Sequence, residues 1–319
     1  FLGDVGRPDL SQNSSMSNRD LASMLFDSLR NKIMTLSDDV IIYPGHGEGS
    51  SCGKDLSSET IGTLGDQKRT NYALRENMTK DEFIREVLNG LLDPPKYFPD
   101  NVMLNKEGYS ESDEIINRSF NSLTANEVNN MLKEKLIILD VRSVEDFSSS
   151  HIPGSIFIGL DGRFAPWVGE ILEDVSKKLI LVAPEGREKE AIIRLSRVGF
   201  DNVIGYLKGG INSWIKSGGI ISKVLNESAS KFSTVNNNKD ILDVRSKNEH
   251  KSESLLNSIN IPLIDLSKSI DKVSFEKTFY VHCKGGYRSM IAASILLANG
   301  ISNFINISGG YDKIKKYNS

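Results

Sequence analysis

Tyr280-Val281-His282-Cys283-Lys284-Gly285-Gly286-Tyr287-Arg288-Ser289 places a cysteine on a short glycine loop. The residues leading into it, Thr278 to His282, alternate and are rich in β-branched and aromatic side chains, which predicts a strand. Met290 to Leu297 is an apolar run of helical character, so the loop spans a strand-to-helix junction. Gly285 and Gly286 permit dihedrals that turn successive N–H groups toward one point. The helix start adds partial positive charge, and Arg288 adds a full one. Such surroundings stabilise a thiolate. The alternative is a buried structural cysteine, which needs neither two glycines nor an arginine closing the loop.

Working outward, the chain repeats itself after about a hundred residues, the mark of a duplicated domain. Leu136 to Ser143 matches Asp240 to Ser246 through a shared Ile-Leu-Asp-Val-Arg-Ser core, and Val203 to Gly210 parallels Phe304 to Gly310. Apolar strand signals at Leu179 to Ala183 and Asn202 to Leu207 flank a helical one at Arg187 to Val198. This βαβ alternation implies a parallel sheet. Thr124 and Glu127 have capping-box spacing at the start of the first copy. The polar stretch Asn226 to Lys239 reads as the linker between copies. Opposite Cys283 the first copy has Ala183, in a loop, Ala183 to Arg187, that reads as one residue shorter. Glu185 brings negative charge where the second copy has glycine. The first copy therefore reads as having lost the chemistry and as positioning its twin or forming an interface.

The loop from Cys283 to Arg288, the Asp243-Val244-Arg245 element with Glu249 after it, and His151-Ile152-Pro153-Gly154 together resemble the rhodanese sulfurtransferases. The resemblance implies that Cys283 carries a persulfide and that Arg288 helps stabilise it. Lys284, Gly285, Gly286, Tyr287 and Ser289 are then expected to line the substrate cradle. Related phosphatases use a loop one residue longer, so this loop length favours sulfur. Lys284 either draws in anionic donors or is a solvated surface lysine. Asp243 and Arg245 are expected to form a structural ion pair rather than to act in catalysis.

Residues 1 to 108 are punctuated differently. Leu21 to Leu36 predicts an amphipathic helix, Val40 to Tyr43 a strand, and Thr79 with Glu82 a second capping box opening a helix to Leu91. Pro94 to Pro99 reads as an extended strap. Asp4 follows a Gly-Asp turn and His46 sits in Pro44-Gly45-His46-Gly47. Taken alone, these are more readily turn residues than ligands. However, Phe1 to Leu10, followed by Ile42 to Lys54, is similar to the C-terminal half of a metallo-β-lactamase-fold domain. The persulfide dioxygenases fused to rhodanese domains are the nearest in pattern. That resemblance implies a metal role for Asp4 and a place beside the metal for His46. It also implies a reactive Cys52 and Fe(II) as cofactor, with Zn the alternative in a glyoxalase II-like hydrolase. The family's His-x-His-x-Asp-His motif is absent, and the four histidines are His46, His151, His250 and His282. One carboxylate and one imidazole fall short of the three protein ligands such an iron needs, so dioxygenation is expected only of an intact parent.

The expected fold is thus α/β: a truncated metallo-β-lactamase αββα half over 1–108, then rhodanese-like parallel-sheet domains over 118–222 and 230–319. Phe1-Leu2 reads as the end of a strand already under way, making the chain the expected C-terminal portion of a longer protein. Over 319 residues, 25% are charged and the net charge is -3, which suggests no basic face for nucleic acid. No apolar run reaches membrane-spanning length, and no basic stretch followed by an apolar core opens the chain, so a cytoplasmic location is expected. Two cysteines, Cys52 and Cys283, suit reduced thiols better than a disulfide scaffold. The expected partners are a low-molecular-weight thiol persulfide, thiosulfate or sulfite, with a homo-oligomer possible. The rival readings are the zinc hydrolase, a sulfur-carrier or docking protein without turnover, and a phosphatase of the same fold.

Overall fold

A computed structural model describes residues 8, 16–45, 59–89, 97–108, 111–134, 136–234, 240–273 and 276–318. The chain divides into two compact units, Phe1–Lys106 and Glu107–Ser319.

The first unit is mainly helical. The helix Asn18–Ser28 starts from a reciprocal cap in which the Ser17 side chain accepts from the Asp20 N–H and Asp20 reaches back to the Ser17 amide. It continues only through a π turn, Leu29–Ile33. The single helix expected to Leu36 therefore ends earlier, before Thr35, Ser37, Asp38 and Asp39, all weak helix formers. Strands β1 (Ile41–Ile42) and β2 (Gly62–Thr63) pair antiparallel. The expected capping box forms at Thr79 and Glu82, opening the helix Lys80–Leu88. Phe83 and Val87 of that helix pack with Ala22, Leu29 and Leu74 to make the core. Phe98 and Pro99 do not belong to an extended strap but open the helix Phe98–Glu107. Proline is tolerated there because a first-turn N–H has no partner to lose.

The second unit holds two parallel five-stranded sheets built to one plan. In the first, β3 (Ser122–Leu123), β4 (Ile137–Asp140), β5 (Ile156–Phe157), β6 (Leu179–Val182) and β7 (Val203–Leu207) lie in the order β3-β7-β6-β4-β5. In the second, β8 (Asn226–Ser228), β9 (Ile241–Asp243), β10 (Ser258–Asn260), β11 (Phe279–His282) and β12 (Phe304–Ser308) repeat it as β8-β12-β11-β9-β10. At least one helix intervenes between consecutive strands within each sheet, as parallel pairing requires. Every residue of β6 is buried, which explains its unbroken apolar run.

The stretch expected to link the copies is instead the opening of the second one. Asn226–Ser228 is its edge strand, and Ala229–Thr234 is its first helix. An edge strand with two of its three residues exposed has a linker's composition, which is why its sequence misleads.

Candidate active site

Cys283 stands immediately after β11, the middle strand of the second sheet, and leads into the helix Tyr287–Ala298. The Gly286 N–H donates to Cys283 Sγ at 3.1 Å. Gly286 has φ +105°, a region that an L side chain rarely enters, and this dihedral aims the amide back at the sulfur. Gly285 was expected to share that role, but it has no positive φ, and an added Cβ there would meet nothing within 4 Å. Cys283 is only 1% exposed, whereas Lys284 and Gly285 beside it are exposed.

The loop is held from behind by the last helix, Gly310–Asn318. The Tyr311 N–H donates to the Cys283 carbonyl at 2.7 Å, and the Asp312 N–H to the Lys284 carbonyl at 3.1 Å. This approach needs Gly310, because a Cβ there would fall 2.6 Å from the Lys284 oxygen. The Ser289 hydroxyl, buried, donates to the Gly286 carbonyl. With its carbonyls engaged by the last helix and its own first turn, the loop presents an N–H to the sulfur.

Arg288 does not stand as a free charge. Its two terminal nitrogens donate to the two Glu249 oxygens, each at 2.7 Å. Glu249 also accepts from the Ser246 N–H and hydroxyl, completing a capping box. Arg288 is held above its ordinary pKa chiefly by the Glu249 bonds, against burial, with smaller contributions from the charges of Cys283, Glu249 and Asp243. Glu249 is held down to about 2, again chiefly by Arg288.

Asp243 and Arg245 form the expected buried pair, with Arg245 donating to both carboxylate oxygens and its guanidinium lying 4.1 Å over the Tyr311 ring. His250 Nδ1 lies 2.9 Å from the same carboxylate. Burial alone would raise Asp243, but the bonds from Arg245, the nearby His282 and the His250 bond outweigh it, and the group is held down. In the first copy Asp140 has the same arrangement with Arg142, yet burial wins there and raises it. Glu249, His250 and Tyr311 were not singled out as site residues. Ser246-x-x-Glu249 is a legible capping signal, although its long-range partner is not.

Gly186 and Gly286, both at positive φ, stand one hundred residues apart, as do Gly209 with Gly309 and Gly210 with Gly310. The first copy's loop is therefore not shorter, as expected from matching arginine to arginine. Ala183 falls opposite Cys283, Glu185 opposite Gly285, Arg187 opposite Tyr287 and Glu188 opposite Arg288. Arg187 binds Glu190 and Asp161 of its own copy.

Tyr287, expected at the substrate, commits its hydroxyl to the Gly159 carbonyl of the first copy at 2.7 Å. Asp4, His46 and Cys52 lie outside the described residues. Among the described residues, no group of three or more His, Cys, Asp or Glu side chains could hold a metal ion, and no helix is long and apolar enough to cross a membrane.

The rhodanese-like domain model matches residues 124–217 and 228–317. An uncharacterized protein of Bacillus subtilis, YqhL, is 34% identical over 73 residues, covering 23% of this chain and 58% of the relative. The chain spans 58% of the length of both curated relatives it matches. A metallo-β-lactamase structure from Staphylococcus aureus is 29% identical with a TM-score of 0.53, over 65% of this chain and 58% of that one. A rhodanese-related protein from Thermoplasma volcanium is 28% identical, covering 29% of this chain and 91% of its own, with a TM-score of 0.26. The α/β class, with rhodanese-like parallel sheets and a metallo-β-lactamase-like neighbour, is thus shown. With more than half its length matched in two consecutive copies, the chain belongs to the rhodanese-like domain family.

Proposed function

We propose that the second copy is a sulfurtransferase working through a Cys283 persulfide. The observation that carries this reading is the Gly286 amide directed at Cys283 Sγ within a strand-loop-helix cradle. Cys283 thiolate attacks the outer sulfur of thiosulfate, forming a new S–S bond as the old one breaks and sulfite leaves with the electron pair. The resulting Cys283 persulfide carries the negative charge, which the Gly286 N–H and the nearby Arg288 stabilise. An acceptor such as cyanide, sulfite or a small thiolate then attacks the outer sulfur, and Cys283 thiolate is regenerated. In the first copy Ala183 offers no sulfur and Glu188 occupies the arginine's place, so it carries no turnover of its own.

The finer reading is a persulfide dioxygenase and sulfurtransferase fusion, supported by the motif resemblance of residues 1 to 54 and by the metallo-β-lactamase likeness. In that setting an intact parent would hold iron and use molecular oxygen to oxidise the terminal sulfur of a thiol persulfide to sulfite, and Cys283 would exchange sulfane sulfur between the persulfide and sulfite. Asp4 and His46 would contribute one carboxylate and one imidazole, short of the three protein ligands such an iron needs. Thiosulfate-to-cyanide turnover by this chain, lost in Cys283→Ser, tests the transfer reading. If a folded sample gives no turnover in either form, the second copy is a docking module.

A further inference from the structure

The two copies meet through the residue between the glycine turn and the arginine of the cysteine loop. Besides its hydroxyl bond to Gly159, Tyr287 stands edge-on to Phe157 with the rings 6.0 Å apart. The first copy leaves room for this ring. A Cβ at Gly162 would lie 3.1 Å from Tyr287 Cε2 and Cζ, and one at Gly159 would lie 3.4 Å from Cε2 and 2.8 Å from the Arg142 carbonyl. Neither glycine has a positive φ, so their missing side chains answer to close approach and not to a turn. Farther along the same helix, the fully buried Ser294 hydroxyl oxygen accepts from the Phe157 N–H at 3.0 Å. That bond satisfies an amide of β5, the edge strand of the first sheet.

The contact is one-sided. Arg187, which occupies the same place in the first copy's loop, binds Glu190 and Asp161 of its own copy. The helix carrying the cysteine loop is therefore tied to the neighbouring sheet at its first residue and again at Ser294, while Gly286 next to Tyr287 carries the amide that meets Sγ. Burial holds the Tyr287 hydroxyl well above the ordinary tyrosine range, so it remains protonated and a donor.

The geometry points to Tyr287 as a positioning residue through which the cysteine-less copy, by Gly159, Gly162 and Phe157, sets the pose of the Gly286 amide on Cys283. The consequence for turnover rests on the sulfur-transfer reading; the positioning itself does not. Three variants, with Tyr287→Leu as the reference for the third, test it: Tyr287→Phe, which removes only the hydroxyl; Gly162→Ala, which presses on the ring from the other copy; and Gly162→Ala combined with Tyr287→Leu, which removes the ring atoms the new methyl meets. Each is followed by the rate of iodoacetamide modification of the Cys283 peptide by mass spectrometry, by thiosulfate-to-cyanide transfer, and by the thermal midpoint.

At temperatures well below unfolding, Tyr287→Phe is expected to change both rates about three- to tenfold, the effect of one hydrogen bond. Gly162→Ala is expected to change them in the same direction, and to cost less in the Tyr287→Leu background than in the wild type. Unchanged rates in both single variants, or changes that only track loss of folded protein, overturn the proposal. Altered Cys283 modification, with transfer absent even from the wild type, supports the positioning role and overturns the sulfur-transfer reading alone.

Discussion

Glu249 and Arg288, 39 residues apart in sequence, form a two-armed ion pair with both nitrogen–oxygen distances at 2.7 Å. The carboxylate that caps the helix after β9 thus fixes the arginine that follows the cysteine loop. Glu249 offsets part of the Arg288 charge and sets its position, so the guanidinium acts on the sulfur beside the Gly286 N–H and not in its place.

Removing that anchor should weaken transfer. Glu249→Gln leaves a neutral partner for Arg288 and is expected to lower thiosulfate-to-cyanide turnover about tenfold, in line with the loss of charge-assisted hydrogen bonds. An unchanged rate would show that Arg288 needs no fixed partner.

The same pair makes stability depend on acid. Glu249 has a folded pKa of about 2 against an ordinary 4.5, so its contribution is fully present above pH 4.5 and is lost as pH falls toward 2. Denaturant unfolding across that window should show a decline in stability that is shallower in Glu249→Gln. An equal decline in both proteins would place the acid sensitivity elsewhere.

The Asp-x-Arg pairs should not be equal. Asp140 holds Arg142, whereas Asp243 holds Arg245 and His250. Asp243→Asn is expected to cost about 3–5 kcal/mol in chemical denaturation, as when one partner of a buried pair is removed, and Asp140→Asn less. The reverse order would contradict this account.

A cysteine alone should not restore the first copy. Ala183→Cys, made in the Cys283→Ser background, is expected to leave turnover at background, because Glu185 and Glu188 stand where the second copy has Gly285 and Arg288. Turnover near the wild-type rate would mean that loop amides suffice without the arginine.

Local features were the legible ones. The capping boxes at Thr79–Glu82 and Thr124–Glu127 depend on residues three apart, and the Asp243–Arg245 pair on residues two apart; all form as their spacing implies. What the sequence hid was distance and register. Glu249 carries a local signal, but its second partner lies in a different βα crossover. Tyr287 lies within the loop motif, yet its hydroxyl reaches 128 residues back, which no local pattern encodes. The first copy's loop looked short because arginine was matched to arginine, when the left-handed glycines set the register. The edge strand Asn226–Ser228 looked like a linker because an edge needs little apolar surface.

The most direct test is the mass of the Cys283 peptide after the chain is incubated with thiosulfate and quenched without reductant. A gain of one sulfur atom on that peptide, removed by cyanide and absent in Cys283→Ser, is the predicted result. An unmodified Cys283 in folded protein under excess thiosulfate would contradict transfer from thiosulfate through a persulfide at this site.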